Sequence, residues 1–465
     1  MIWRAWPVSF AMWKGTTVET VHTEEIVYDW NLHENSKRSR VRPIELFDET
    51  LRDGLQSPSV REPKLGEKLD LLHRMNSLGI DWCNVGMPSA GEQRRAEIIE
   101  MLNEIGRARM RLRPALLCRS LIDPDVRQAA DLMQRTAVPC RVYVFIGSSP
   151  IRRWAEGWEL ETMCRQTSES IAFALREGLE VGYGTEDTTR TDPGTVTALF
   201  RTAVEAGATS LVIGDTVGHA TPEGLANIHA YLRRMLLDAG RSEVAIEWHG
   251  HNDRGLSLAL ALHAIDLGFT AVHGCALGIG ERVGNAPLDQ VILNCALRGD
   301  WPHDVSGLVD YVEATARATG IPVPDNYPLA GRDAFRTATG IHAAAIIKAL
   351  RKGNSDLADR IYSSVPAGMF GREQEIEIGF MSGLSNVKYW LQRRGIEPNA
   401  GLCDALLEEA KSCNAVLTEA EVWAFVGRWQ STNAVEPLSL SHTGTRRAPR
   451  ETRENAPAAR MGRAG

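Results

Sequence analysis

The chain has 465 residues, 43% of them hydrophobic and 24% charged, the balance of a folded protein with one large core and an accessory region. A formal net charge of −7, with basic side chains scattered rather than striped, excludes a general nucleic-acid surface and leaves small molecules as the expected partners. Eight widely spaced cysteines without a C-x-x-C pair exclude a zinc knuckle or a redox motif and fit buried thiols in a reducing cytoplasm.

Residues 1–42 read as an N-terminal extension. Its start, "MIWRAWPVSFAMWKGTTVET", has no uninterrupted apolar run followed by a small-residue cleavage site, so no secretory signal is expected. No segment is long and apolar enough to span a bilayer. From residue 43 the chain alternates. Strand-like runs occur at "PIELFDET", "DWCNVGM", "RLRPALLC", "RVYVFIGSS", "LEVGYGTED", "SLVIGDT", "EVAIEWHGH" and "AVHGCALG". Between them lie stretches such as "KLGEKLDLLHRMNSLG", "VTALFRTAVEAG" and "RGLSLALALHAIDLG", whose apolar residues recur at helical spacing. Eight strand–helix units at a repeat of roughly 30 residues predict an α/β fold, a (β/α)8 TIM barrel over residues 43–305. Residues 306–431 are expected to form a linker and a small helical C-terminal subdomain. The Arg-, Pro- and Gly-rich residues 432–465 lack the apolar side chains a core requires and are expected to be disordered.

Reactive groups in such barrels gather at the C-terminal ends of the strands. Here those ends read "DETLRDGLQ", "GTEDTTR", "GDTVGH", "HGHND" and "GIGERVGN", which aim Asp, Glu, His, Thr, Arg and Asn at one mouth. His249 and His251 are spaced i, i+2 on a strand, so both imidazoles project from one face and can reach one point. The glycine-rich run from Gly278 to Gly284 is close to a dinucleotide fingerprint, but a helix and a loop follow it instead of a second strand, which argues against a nicotinamide-dependent dehydrogenase. A barrel that only binds ligand is disfavoured by the presence of both Arg52 and Glu186.

"DETLRDGLQ", "HGHNDRG" and "GIGERVGN", in that order and separation, resemble the acyl-CoA-dependent metalloenzymes that include 2-isopropylmalate, homocitrate and citramalate synthases and 3-hydroxy-3-methylglutaryl-CoA (HMG-CoA) lyase. The resemblance covers about residues 43 to 395. It implies that Asp53, His249, His251 and Asn285 bind one divalent metal, and a mixed N/O donor set of this kind suits Mn²⁺, Mg²⁺, Zn²⁺ or Co²⁺. It further implies that Arg52 is the catalytic arginine and that Gln56, Glu186 and Thr216 contact the substrate or help proton transfer; Arg190, also a candidate substrate contact, is placed to pair with a distal carboxylate, which by itself does not discriminate among the 2-oxo acids. A guanidinium that keeps its charge near neutral pH suits Arg52 to stabilising developing negative charge.

Within the family "RDGLQ" resembles the lyases and "GERVGN" the synthases, and the lyases' loop cysteine is replaced here by Glu281 and Arg282. The nearby Cys275 is read as a small buried hydrophobe. "TGIHAAAIIKAL" and "REQEIEIGFMSGLSNVKYWLQRRGI" look like the helical subdomains that follow the barrel in synthases, which places the chain with them. The expected activity is condensation of acetyl-CoA with a 2-oxo acid, 2-oxoisovalerate first, giving 2-isopropylmalate for leucine biosynthesis. Homocitrate or citramalate formation is the alternative, then a lyase-like cleavage. The resemblance makes His342, in the G-I-H motif, a base that reaches the active site of a partner subunit, and so implies a homodimer. No counterpart of the regulatory domain of larger isopropylmalate synthases is expected after about residue 431.

Overall fold

All eight predicted strands form, and their order in the sequence is their order in space. The computed structural model describes residues 27–32 and 44–433; the expectations for most of the N-terminal extension and for the tail from 434 onward lie outside the described residues. The strands are β1 (Glu45–Asp48), β2 (Trp82–Asn84), β3 (Arg113–Arg119), β4 (Arg141–Gly147), β5 (Glu180–Glu186), β6 (Ser210–Asp215), β7 (Ala245–Gly250) and β8 (Ala271–Gly274). Each pairs in parallel with the next, and β8 pairs with β1 in the register Phe47↔His273, which closes the barrel. Apolar runs such as "VYVFI" in β4 suit strands covered on both faces, as parallel strands are.

The side-chain period of two sorts each strand between two cores. Phe47, Trp82, Ala115, Tyr143 and Val212 pack together in a small cluster inside the barrel. Their neighbours Leu46, Val142, Val144, Leu211 and Ile213 pack outward into the large core shared with the helices. On β7 the same alternation turns Ile246 and Trp248 to the outer core, which puts Glu247 and His249 on the opposite, inward face.

Helix starts follow local chemistry. Asp192 and Thr221 cap the helices Pro193–Ala206 and Pro222–Asp238 by accepting the backbone N–H of Thr195 and Gly224, and each helix has proline at its first position.

The described residues divide into two compact units, those up to 335 together with 363–373, and 336–362 with 374–433. The first unit therefore extends beyond residue 305, where a linker was expected. The physical reason is the helix Leu308–Thr319, which buries Leu308, Tyr311 and Val312 in the barrel's outer core, while the Tyr311 hydroxyl donates to the Asp48 carboxylate at the end of β1. The second unit contains a parallel pair of two-residue strands, Arg336–Thr337 and Glu375–Ile376, and the helices Gly340–Arg351, Ser355–Arg360, Leu384–Arg393, Ala400–Ser412 and Glu419–Thr432. Its cores are built on Ile346 and Ile347 in one cluster and on Trp390, Leu391, Leu402 and Leu406 in another. Among the described residues, no helix is long and apolar enough to cross a membrane.

Candidate active site

The turn after β1 and the end of β7 bring three ligand-type atoms together. His249 Nε2 and His251 Nε2 face each other at 3.4 Å, and Asp53 Oδ2 lies 3.6 Å from the first and 3.8 Å from the second. A point equidistant from all three lies about 2.1 Å from each, the bond length of a divalent ion to imidazole nitrogen or carboxylate oxygen. The donor set therefore fits a metal. Burial keeps both imidazoles in the neutral, ligating form against the opposing pull of Asp53, with the His249 pKa pushed down to about 3. Burial alone would raise the Asp53 pKa, but Arg52 and the two histidines outweigh it and hold the carboxyl well below the usual range.

Asn285 belongs to the same centre through a different contact. Its Nδ2 donates to Asp53 Oδ1 at 2.8 Å and to the Ile279 carbonyl at 3.1 Å, which orients the carboxylate. Its Oδ1 is buried with no hydrogen-bond partner among the described residues, an acceptor still to be satisfied.

The glycine-rich loop explains itself here. It reads G-x-G-x-x-x-G, one residue longer than a dinucleotide fingerprint, and it folds back on the end of β7 through the Asn252 N–H to Gly284 carbonyl and Ala286 N–H to Gly250 carbonyl bonds. Gly280, at φ +149°, lies so close that a Cβ would fall 2.1 Å from Asn285 Nδ2 and 2.9 Å from Asp53 Oδ1. The glycine makes room for the Asp53–Asn285 contact.

Arg52 lies beside this centre, donating from Nη1 to Asp53 Oδ2 at 2.7 Å and from Nε to Glu49 Oε2 at 2.8 Å. These atoms open onto a cavity of about 390 Å³ at the barrel mouth. Arg52, Asp53, Gln56, Glu186, Thr216, His249 and His251 all line it, so seven of the residues singled out from sequence converge there. Met87, Leu117, Phe145 and Val212 add an apolar wall that the sequence did not identify. Burial raises the Glu186 pKa while Arg152, 3.9 Å away, opposes the rise. The Thr216 hydroxyl accepts the Asp187 N–H at 2.8 Å.

Arg190 does not line the cavity. Its Nε and Nη2 are both committed to the Asp187 carboxylate, at 2.8 and 2.6 Å. His342 belongs to the second unit, where it is exposed near the start of Gly340–Arg351 with its ring stacked on Tyr362 at 3.9 Å. Cys275 is fully buried, in keeping with its reading as a small hydrophobe, and burial pushes its thiol pKa well up.

Glu49, His273 and Glu247 escaped the sequence reading although they are buried and titratable. The signal was present for one of them: Glu247 shares the i, i+2 phase of His249 and His251. A second group of three, Glu49, His249 and His273, also lies within reach of one point. Glu49 is already paired with Arg52, and His273 lies between two carboxylates, so Asp53, His249 and His251 make the better centre.

The structure is thus a closed parallel (β/α)8 barrel whose C-terminal mouth gathers two imidazoles, a carboxylate and a guanidinium, a donor set that could hold a metal ion. Residues 43–315 match the family model described as HMGL-like. The chain belongs to the HMGL-like family. It is 30% identical over 419 residues to the 2-isopropylmalate synthase of Acidimicrobium ferrooxidans, covering 85% of this chain and 75% of the relative. It is 31% identical over 373 residues to a homocitrate synthase of Methanothermobacter thermautotrophicus, covering 79% and 88%. For several other 2-isopropylmalate synthases the share of the relative that is covered is 60%. The barrel fold is shared with the HMG-CoA lyase of Bacillus subtilis, with a TM-score of 0.51 at 18% identity over 61% of this chain and 96% of the lyase.

Proposed function

We propose that the protein is an acyltransferase that condenses acetyl-CoA with a 2-oxo acid, and that 2-oxoisovalerate is the acceptor, giving 2-isopropylmalate and free CoA. The family membership and the synthase relatives support the reaction class. The observation that carries the acceptor assignment is the cavity's lining: Met87, Leu117, Phe145 and Val212 give it an apolar wall, and the arginines that border it, Arg52 and Arg282, are already paired with Glu49 and Asp53 and with Asp253. A branched aliphatic side chain satisfies such a wall, whereas the second carboxylate of 2-oxoglutarate would be buried there without a partner, at a cost of several kcal/mol.

In this reading Asp53, His249, His251 and the free Asn285 Oδ1 hold the divalent ion. When bound, the ion supplies Lewis-acid polarisation of the 2-oxo carbonyl. Arg52 faces the oxygen that gains negative charge as the new carbon–carbon bond forms, and its side chain is largely buried, where a fixed charge acts strongly. Glu186 lines the same cavity and, with its pKa raised by burial, is suited to pass a proton near the acceptor. Gln56 and Thr216 orient the oxo acid. The acetyl methyl loses its proton to a base, for which we propose His342 from a second copy of the chain, so that the working unit is a homodimer. Water then cleaves the thioester, releasing CoA and making the condensation effectively irreversible.

A panel of 2-oxo acids with acetyl-CoA, followed by release of CoA thiol, tests the proposal. We expect 2-oxoisovalerate to give the highest kcat/KM and 2-oxoglutarate to be a poor acceptor. Preference for 2-oxoglutarate would overturn the acceptor assignment. Cleavage of HMG-CoA with no condensation across the panel would overturn the reaction class.

A further inference from the structure

Behind Arg52 a chain of buried charged groups runs into the barrel interior. Glu49 Oε2 accepts from both Nε and Nη2 of Arg52, at 2.8 and 2.7 Å. Glu49 Oε1 faces His273 Nδ1 at 3.3 Å, and His273 Nε2 faces Glu247 Oε2 at 3.0 Å. Glu247 in turn accepts from the Tyr143 hydroxyl at 2.8 Å and from Arg141 Nη1 at 3.3 Å. Glu49, His273 and Glu247 are each 3% exposed or less. Phe47 stacks on the His273 ring at 4.2 Å with 9° between planes, which fixes its orientation. A ring lodged between two carboxylates donates at both nitrogens, and positive and negative groups then alternate from Arg141 to Asp53.

We infer that Glu49 and His273 are positioning residues for the reaction: Glu49 grips one edge of the Arg52 guanidinium so that the plane stays aimed at the cavity, and His273, braced by Glu247 and Phe47, holds Glu49 in place. Arg52 follows a turn and its side chain is long, so one contact to Asp53 at 2.7 Å leaves its plane free to rotate. The paired contact to Glu49 removes that freedom, which matters because a misplacement of about 1 Å in a charge-stabilising group costs on the order of 100-fold in rate. Both residues border the cavity, but their polar atoms are engaged by Arg52, by Glu247 and by each other, so they act on the 2-oxo acid through Arg52. The inference rests on the reading of Arg52 as the charge stabiliser.

The test measures kcat, KM for 2-oxoisovalerate, metal affinity and melting temperature for wild type, Glu49→Gln, His273→Gln, Arg52→Ala and the double variant E49Q/R52A. We expect Glu49→Gln and His273→Gln to lose about 10- to 100-fold in kcat, the range for residues that orient a functional group, with KM and metal affinity within about threefold. The double variant should be no slower than Arg52→Ala alone, because Glu49 acts through Arg52. Wild-type kcat in both Glu49→Gln and His273→Gln, or additive losses in the double variant, overturns the inference while leaving Arg52 catalytic. Near-normal kcat in Arg52→Ala instead sinks the reading of Arg52, and this inference with it. Should Glu49→Gln fail to fold, Glu49→Asp, which keeps the charge and withdraws it by one methylene, must show the same kcat loss at unchanged KM.

Discussion

Asn285 donates its amide N–H to Asp53 Oδ1 at 2.8 Å across 232 residues of chain. That bond turns the other carboxylate oxygen of Asp53 toward His249 and His251. Chelation is therefore expected to abolish activity, and Mn²⁺, Mg²⁺, Zn²⁺ or Co²⁺ to restore it. Asp53→Ala should lose metal binding almost completely, and Asn285→Ala should weaken it by at least about 10- to 100-fold through loss of that orientation and of its own Oδ1 donor. Isothermal titration with each ion measures both. Full turnover by metal-free protein would refute the centre.

Arg52→Lys should keep the metal and lose most of kcat. A lysine ammonium cannot reproduce a planar fork that engages Glu49 and Asp53 at once. Removal of one such donor costs about 100- to 1,000-fold. Steady-state kinetics with metal content measured in parallel decides the point, and near-normal kcat would remove Arg52 from the mechanism.

If His342 serves the partner's barrel, active sites can be rebuilt from two defective subunits. Arg52→Ala and His342→Ala proteins, each nearly inactive, should recover up to roughly a quarter of wild-type activity after subunit exchange, since half the dimers are mixed and each carries one intact site of two. Mass measurement confirms exchange. A mixture as inactive as its parents would show that His342 does not act across a dimer.

Asp289 is fully buried, accepts the Leu277 N–H at 2.8 Å and the Tyr327 hydroxyl at 2.9 Å, and has its pKa pushed up to about 6 by burial. The folded state thus binds this proton more tightly than the unfolded state. Its favourable contribution is full below the unfolded value near 4 and is lost as pH rises through about 6. Asp289→Asn should accordingly gain on wild type by up to about 3 kcal/mol between pH 4 and pH 7, because each tenfold difference in proton affinity between the folded and unfolded states is worth about 1.4 kcal/mol. Urea denaturation at both pH values gives the difference, and a pH-independent difference would refute the assignment.

Much of the site was legible because strand periodicity is local. The spacing of His249 and His251 placed both at one strand end, and the polar strand ends placed Arg52, Asp53, Gln56, Glu186 and Thr216 at one mouth, where the cavity collects them. Arg190 sits at such an end as well, yet an aspartate three residues earlier on the same 3-10 turn captures its guanidinium. Residues 306–335 group with the linker and helical subdomain on sequence alone because nothing in their own sequence announces that Tyr311 reaches Asp48.

By itself the sequence determined the eight strands, their order, the face on which each residue lies and the reactive end of each strand, since all of these follow from periodicity and hydrophobicity within a few residues. Which inward residues meet was decided only by tertiary structure. Closure of β8 on β1 brings His273 to Glu49 across 224 residues, and the return of the glycine-rich loop onto β7 brings Asn285 to Asp53. Both contacts depend on barrel register and on packing around a full turn of the sheet, and no local pattern encodes either one.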